Sequence, residues 1–160
     1  MDIKKIIIIV GLIIFSFVLT GCFKKKIDIK NTKRFSFSYT VGNYMYGSYL
    51  YELKLDKNGK YIISYKPDGV SDEEILQKEI SKEDVKLLEN VISKYNIYLW
   101  NGYNKVDKHV LDGNSFNLIY ETKGNDYISA SGYMKYPKGY KEFKEDIHNY
   151  YVNLFKEELD

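Results

Sequence analysis

Cysteine occurs once in the 160 residues, histidine twice and proline twice, and Arg34 is the sole arginine. One thiol excludes a disulfide framework within the chain and any zinc site built on several thiolates. An excess of charge of one sign is missing as well. The 24 Lys and Arg stand against 22 Asp and Glu, a formal net charge of +2. That balance has neither the broad basic surplus of a nucleic-acid binder nor the acidic surplus of a solvating tail. Low-complexity tracts and internal repeats are also absent. The chain instead is 44% hydrophobic and carries 17 Tyr, which at this length suffices for one packed domain.

Chemistry-bearing motifs are scarce too. There is no Gly-x-Ser-x-Gly and no phosphate-binding glycine loop. Asp56-Lys57-Asn58-Gly59 lacks the regular oxygen ligands and distal Glu of a calcium loop. Glu145-Asp146-Ile147-His148 supplies one Glu-x-x-His, where a di-iron bundle needs two copies and two further Glu. The sequence therefore predicts no catalytic constellation, no metal and no cofactor. His109, among Asp107, Lys108 and Asp112, reads as a solvated loop residue. It is also the residue on which the alternative function, an envelope hydrolase or lyase working through Asp and Glu in a cleft, would draw.

The N-terminus is the most informative stretch. Lys4 and Lys5 precede Ile6 to Leu19, apolar throughout except Gly11 and Ser16. This run is shorter than the ~20 residues of a spanning helix and fits the hydrophobic region of a signal peptide. It ends in Leu19-Thr20-Gly21-Cys22, which resembles the lipobox of bacterial lipoproteins. The resemblance implies cleavage between Gly21 and Cys22 and acylation of the Cys22 thiol with diacylglyceryl and palmitate-type chains. It also implies display on the extracytoplasmic face of the cell membrane. An uncleaved signal anchor is the competing reading, and by the bias that keeps Lys4 and Lys5 inside, both export the remainder. Lys24, Lys25 and Lys26 follow the lipid site, where each contributes about 1 kcal/mol against an anionic leaflet. One Arg among 24 basic residues, with abundant Ile, Asn and Tyr, is similar to the usage of low-GC Gram-positive bacteria.

These features divide the chain into a signal peptide (1–21), a Lys- and Asn-rich tether (22–33) and one exported domain (34–160). Within the domain, Phe35, Phe37, Tyr39 and Val41 alternate with Ser and Thr. Tyr49 to Leu55 and Tyr61 to Tyr65 flank a hairpin at Asn58-Gly59. Glu74 to Ile80 reads as a further short strand. Ser81 and Asp84 form a capping signal ahead of a helix over 82–95, with Val85, Leu88, Ile92 and Tyr95 on one face. Phe116 to Tyr120 and Tyr127 to Tyr133 form a second hairpin. A final helix from Tyr140 carries Phe143, Ile147, Tyr151 and Leu154. The predicted fold class is α+β: a mostly antiparallel sheet of two hairpin groups with two helices packed on one face. The first helix, Trp100-Asn101-Gly102-Tyr103, Asp112-Gly113 and Tyr136-Pro137 together are similar to a set of uncharacterised bacterial lipoproteins over about residues 81–145. That similarity implies a small exported domain and no activity.

Aromatic residues in glycine-bearing connections are the best binding candidates, because such segments rarely bury every ring. They are Tyr44 and Tyr46 before Gly47, and Trp100 and Tyr103 around Gly102, although Trp100 also reads as a core anchor. The functional expectation is a lipid-anchored, non-enzymatic module that binds a protein, a peptide or a cell-wall glycan, with the membrane as its second partner and no nucleic acid. A partner or inhibitor subunit of an envelope complex is a further reading, which a large exposed apolar patch would favour.

Overall fold

The strict alternation of rings with short polar residues makes residues 32–40 the central strand. In the computed structural model, which describes residues 25–42 and 47–159, β1 (Thr32–Thr40) buries Phe35, Phe37 and Tyr39 and turns Ser36 and Ser38 to the opposite face. An antiparallel meander follows on one side of it: β2 (Ser48–Leu55), β3 (Tyr61–Lys66) and β4 (Leu76–Ile80). On its other side lie β6 (Ser115–Thr122) and β7 (Tyr127–Tyr133), with β5 (Tyr103–Val106) at the edge. The sheet order is β4-β3-β2-β1-β6-β7-β5, and only the β5–β7 pair is parallel.

The turns follow from their residues. In the β2–β3 hairpin Asp56 accepts the Asn58 and Lys60 amides at 2.8 Å each, and Gly59 takes φ 79°. Of Asn58 and Gly59, only the glycine adopts a positive φ. At the β6–β7 turn Asn125 takes φ 64°, a conformation asparagine tolerates better than most side chains.

Both helices cover the apolar face, as the sequence implies. Helix α1 (Lys82–Ser93) opens on the anticipated capping box. The Ser81 hydroxyl accepts the Asp84 amide at 3.1 Å, and the Asp84 carboxylate takes both the Ser81 amide and hydroxyl protons. It buries Val85, Leu88 and Ile92. Helix α2 (Tyr140–Leu154) buries Tyr140, Phe143, Ile147 and Tyr151. Its Phe143 meets Phe37 of β1 at 5.1 Å between ring centres, and its Tyr151 meets Tyr51 of β2 at the same distance. The helices are tied to each other by the Tyr150 hydroxyl donating to the Asp84 carbonyl (2.9 Å), and the turn after α1 is tied to α2 by the Tyr95 hydroxyl donating to Asp146 (2.7 Å).

Three details were not anticipated. Packing starts ahead of Arg34: β1 begins at Thr32, which is fully buried, and Ile27 already sits against the core. Four residues with no apolar alternation form β5, which gains its place by pairing with β7. In the edge strand β4, Lys78 stands between Leu76 and Ile80 on the core side, opposite Ile63. Its ammonium bonds the Leu154 carbonyl at the end of α2 and Glu158 at 2.8 Å, and lies 4.7 Å from the Phe155 ring centre. A cation there offsets the negative end of the helix and makes the open edge a poor template for another strand.

Gly132 of β7 is a steric requirement. A Cβ at this position would meet the Lys135 carbonyl oxygen and come 2.6 Å from Phe116 Cε1. Gly132→Ala therefore lowers stability by about 1–3 kcal/mol through overpacking, read as a lower urea midpoint with an unchanged slope. A variant as stable as the parent would contradict this close approach.

Candidate functional site

The strand directions separate the two ends of the domain. β1 spans nine residues, so its ends lie roughly 26 Å apart. Residues 25–31 reach the Thr32 end, where Lys25 pairs with Asp126 of the β6–β7 turn at 2.6 Å. The pairings of Thr40 with Ser48, Tyr65 with Leu76, and Ser115 and Val106 with Tyr133 bring Gly42, Gly47 and the connections 67–75, 107–114 and 134–139 together at the other end. Function is disproportionately carried on loops held by a rigid scaffold, and this end carries the longest described connections.

Two clefts open beside the 134–139 connection. The larger, about 490 Å³, is floored by Trp100 and walled by Tyr95, Leu99, Tyr103 and the Pro137–Gly139 segment. The sequence candidates Trp100 and Tyr103 thus meet in one cavity. A short 3-10 turn (Ile97–Trp100), entered through Asn96 at φ 49°, carries Trp100. Trp100 is nearly enclosed and packs edge-on against Phe143 at 5.1 Å, whereas Tyr103 is half-buried with the Lys105 ammonium 5.5 Å from its ring centre. Trp100 is therefore both core anchor and cleft floor.

The second cleft, about 300 Å³, lies between Tyr39, Asn114, Tyr136, Tyr140, Lys141 and Lys144. Tyr136 and Tyr140 stack with ring centres 4.5 Å apart and planes 19° off parallel. Lys144 caps the Tyr39 ring from 4.9 Å. The Tyr136 hydroxyl donates to the Asn114 carbonyl (3.2 Å), and the Asn114 side-chain oxygen accepts the Gly42 amide (2.6 Å). Sequence reasoning missed this cleft. Its signal was the Lys135, Lys138, Lys141, Lys144 spacing around Tyr136 and Tyr140.

Behind it, Tyr39, Tyr51 and His148 form a hydrogen-bonded line. The two hydroxyls lie 3.3 Å apart, and the Tyr51 oxygen is 2.9 Å from His148 Nδ1. Burial pushes the Tyr39 phenol up to about 12 and the Tyr51 phenol further, while burial and then the Lys144 charge hold the His148 imidazole below its ordinary range. The neutral imidazole is thus the folded form. The unfolded chain binds more protons near pH 6.5 and below, so the stabilisation is complete above 6.5 and is lost as pH falls through the lowered folded value. The urea midpoint is accordingly expected to drop as pH falls below about 6.5, before the carboxylates begin to titrate. His148→Gln is expected to flatten that part of the profile; an unchanged profile would contradict it.

Other candidates fall elsewhere. Cys22, Gly21, Tyr44 and Tyr46 lie outside the described residues. His109 is exposed, its amide donating to Asp107 at 3.1 Å, and it lines neither cleft. Among the described residues no carboxylate lines either cleft, and no group of three or more His, Cys, Asp or Glu is placed to hold a metal ion. No helix among them is long and apolar enough to cross a membrane. No protein-family model matches the chain and no curated protein is similar to it, so the residues themselves carry the functional reading.

Proposed function

We propose that the chain is a lipoprotein held to the extracytoplasmic face of the cell membrane through Cys22, and that its domain is a non-enzymatic binding module. The observation that carries this reading is the polarity of the fold. The chain leaves the lipid site and enters the sheet at the Thr32 end, while the connections 67–75, 107–114 and 134–139 and both aromatic clefts gather toward the other. A tethered domain with that polarity holds its clefts away from the bilayer, where an envelope ligand is within reach. Stacked tyrosines beside lysines suit recognition by surface contact, since Tyr combines a large apolar face with a polar tip.

Cell fractionation tests the anchor, and crosslinking on intact cells tests the module. The native chain is expected in the membrane fraction, labelled by an impermeant reagent and by fatty acid, and Cys22→Ser without the fatty-acid label. Crosslinks from the loop end to an envelope component are expected to weaken in Trp100→Phe or Tyr103→Ala. Turnover of wall-derived or peptide substrates that a point change abolishes would overturn the non-enzymatic reading. A native chain that takes up no fatty-acid label would overturn the lipid in favour of a signal anchor.

A further inference from the structure

Resting on the reading of the domain as a binding module, we propose that the Tyr136–Tyr140 cleft binds an anionic glycan, with a sugar ring against Tyr136 and its negative groups on Lys141 and Lys144. Three observations meet there. The first is charge. Lys141 and Lys144 sit three residues apart, on one face of α2, and Lys135 and Lys138 precede them on the adjoining connection. Among the described residues none of these four ammonium groups lies within ion-pair distance of a carboxylate, although nine other cation–anion pairs form in the domain. Two ammonium groups without an ion-pair partner among the described residues, Lys141 and Lys144, therefore line this cleft, and Lys138 lines the neighbouring one. The start of α2 adds its own partial positive charge to the same place.

The second observation is the ring surface. Tyr136 remains 37% exposed while its hydroxyl is already fixed on the Asn114 carbonyl. Its ring is held by the Tyr140 stack and by Phe116 at 6.0 Å. A rigid, partly exposed aromatic face costs little entropy to use and matches the apolar C–H face of a sugar. The third is hydrogen-bonding capacity. Tyr140 lines the cleft, and among the described residues its hydroxyl has no partner. A purely electrostatic site for phosphate chains would need the lysines alone. A site for neutral sugar would leave them without purpose. Ring and charge together favour a glycan carrying carboxylate or phosphate.

The test uses the full chain in micelles of an uncharged detergent, its fold checked by near-ultraviolet circular dichroism. Four probes are titrated calorimetrically: oligogalacturonate (ring and charge), an N-acetylglucosamine oligomer (ring alone), inorganic polyphosphate (charge alone) and phosphatidylglycerol vesicles (an anionic lipid surface). Oligogalacturonate is expected to bind most tightly, and more weakly as salt rises. Lys141→Ala with Lys144→Ala, and separately Tyr136→Ala, are each expected to weaken it at least about tenfold, equivalent to about 1.4 kcal/mol. Tyr136→Phe is expected to retain binding. Equal or tighter binding of polyphosphate or vesicles, with Tyr136→Ala inert, would overturn the proposal in favour of a general basic surface. Tighter binding of the neutral oligomer, or no binding of any probe by folded protein, would overturn it as well. None of these results bears on acylation of Cys22 or on crosslinks at the Trp100 cleft, so failure here is distinguishable from failure of the binding-module reading.

Discussion

Phe143→Ala is expected to remove about 3–5 kcal/mol of stability, the cost of truncating a fully enclosed ring. Against a total of about 5–15 kcal/mol for a domain, that brings the fold close to unfolding at growth temperature. The position is exceptional because one side chain joins three elements. Phe143 is 0% exposed and stands edge-on to Phe37 of β1 (5.1 Å), Trp100 of the 3-10 turn (5.1 Å) and Tyr95 after α1 (5.5 Å). Its loss leaves a cavity beneath the larger cleft, with stiff aromatic walls that collapse poorly. Phe143→Leu keeps apolar volume and is expected to lose less. Trp100 is the sole tryptophan, so its fluorescence reports the repacking while urea denaturation gives the energy. A loss under about 1 kcal/mol would show that this ring is not the centre of the core.

Alkali is expected to unfold the domain cooperatively. Burial is the leading cause of raised phenol values across the interior. Tyr39, Tyr65 and Tyr95 are pushed up to about 12, and Tyr51, Tyr120, Tyr140, Tyr150 and Tyr151 further. An unfolded phenol ionises near 10.0. The folded state thus holds more protons above that pH, and stability, complete below 10, falls as pH rises toward and through the folded values. Each unit above 10 removes about 1.4 kcal/mol for every phenol that stays protonated only in the fold. Partly accessible rings contribute less than this. Even so, several enclosed rings together exhaust a net stability of this size by about one to two units. Phenolate absorbance and far-ultraviolet circular dichroism are expected to change together in one steep transition. A gradual phenolate titration centred on 10 with the dichroism unchanged would contradict the enclosed-tyrosine core.

What was legible in the sequence was what short-range periodicity encodes. Phe35, Phe37 and Tyr39 spell a half-buried strand by alternation, and Ser81 with Asp84 spells a helix start, because both depend on neighbours within a few residues. The parallel strand β5 was not legible, since Tyr103 to Val106 has no alternation and its position is decided by β7. The Tyr51–His148 hydrogen bond joins residues 97 apart, and Pro137 to Gly139 wall a cavity whose floor, Trp100, lies far upstream. Local spacing carries no record of such meetings. The candidate site was therefore half legible: the Trp100 and Tyr103 rings stood out in a glycine-bearing segment, whereas the Tyr136–Tyr140 cleft needed the loop end assembled before its lysines acquired a shared neighbour.

The proposed display of the domain depends on the covalent state of Cys22, because the polarity of the fold has meaning only if the Thr32 end faces a bilayer. Intact-mass spectrometry of the chain purified from membranes measures that state directly. The predicted species lacks residues 1–21, begins at Cys22 and carries the added mass of a thioether-linked diacylglyceryl group. A chain that begins at Met1 with an unmodified thiol would contradict it.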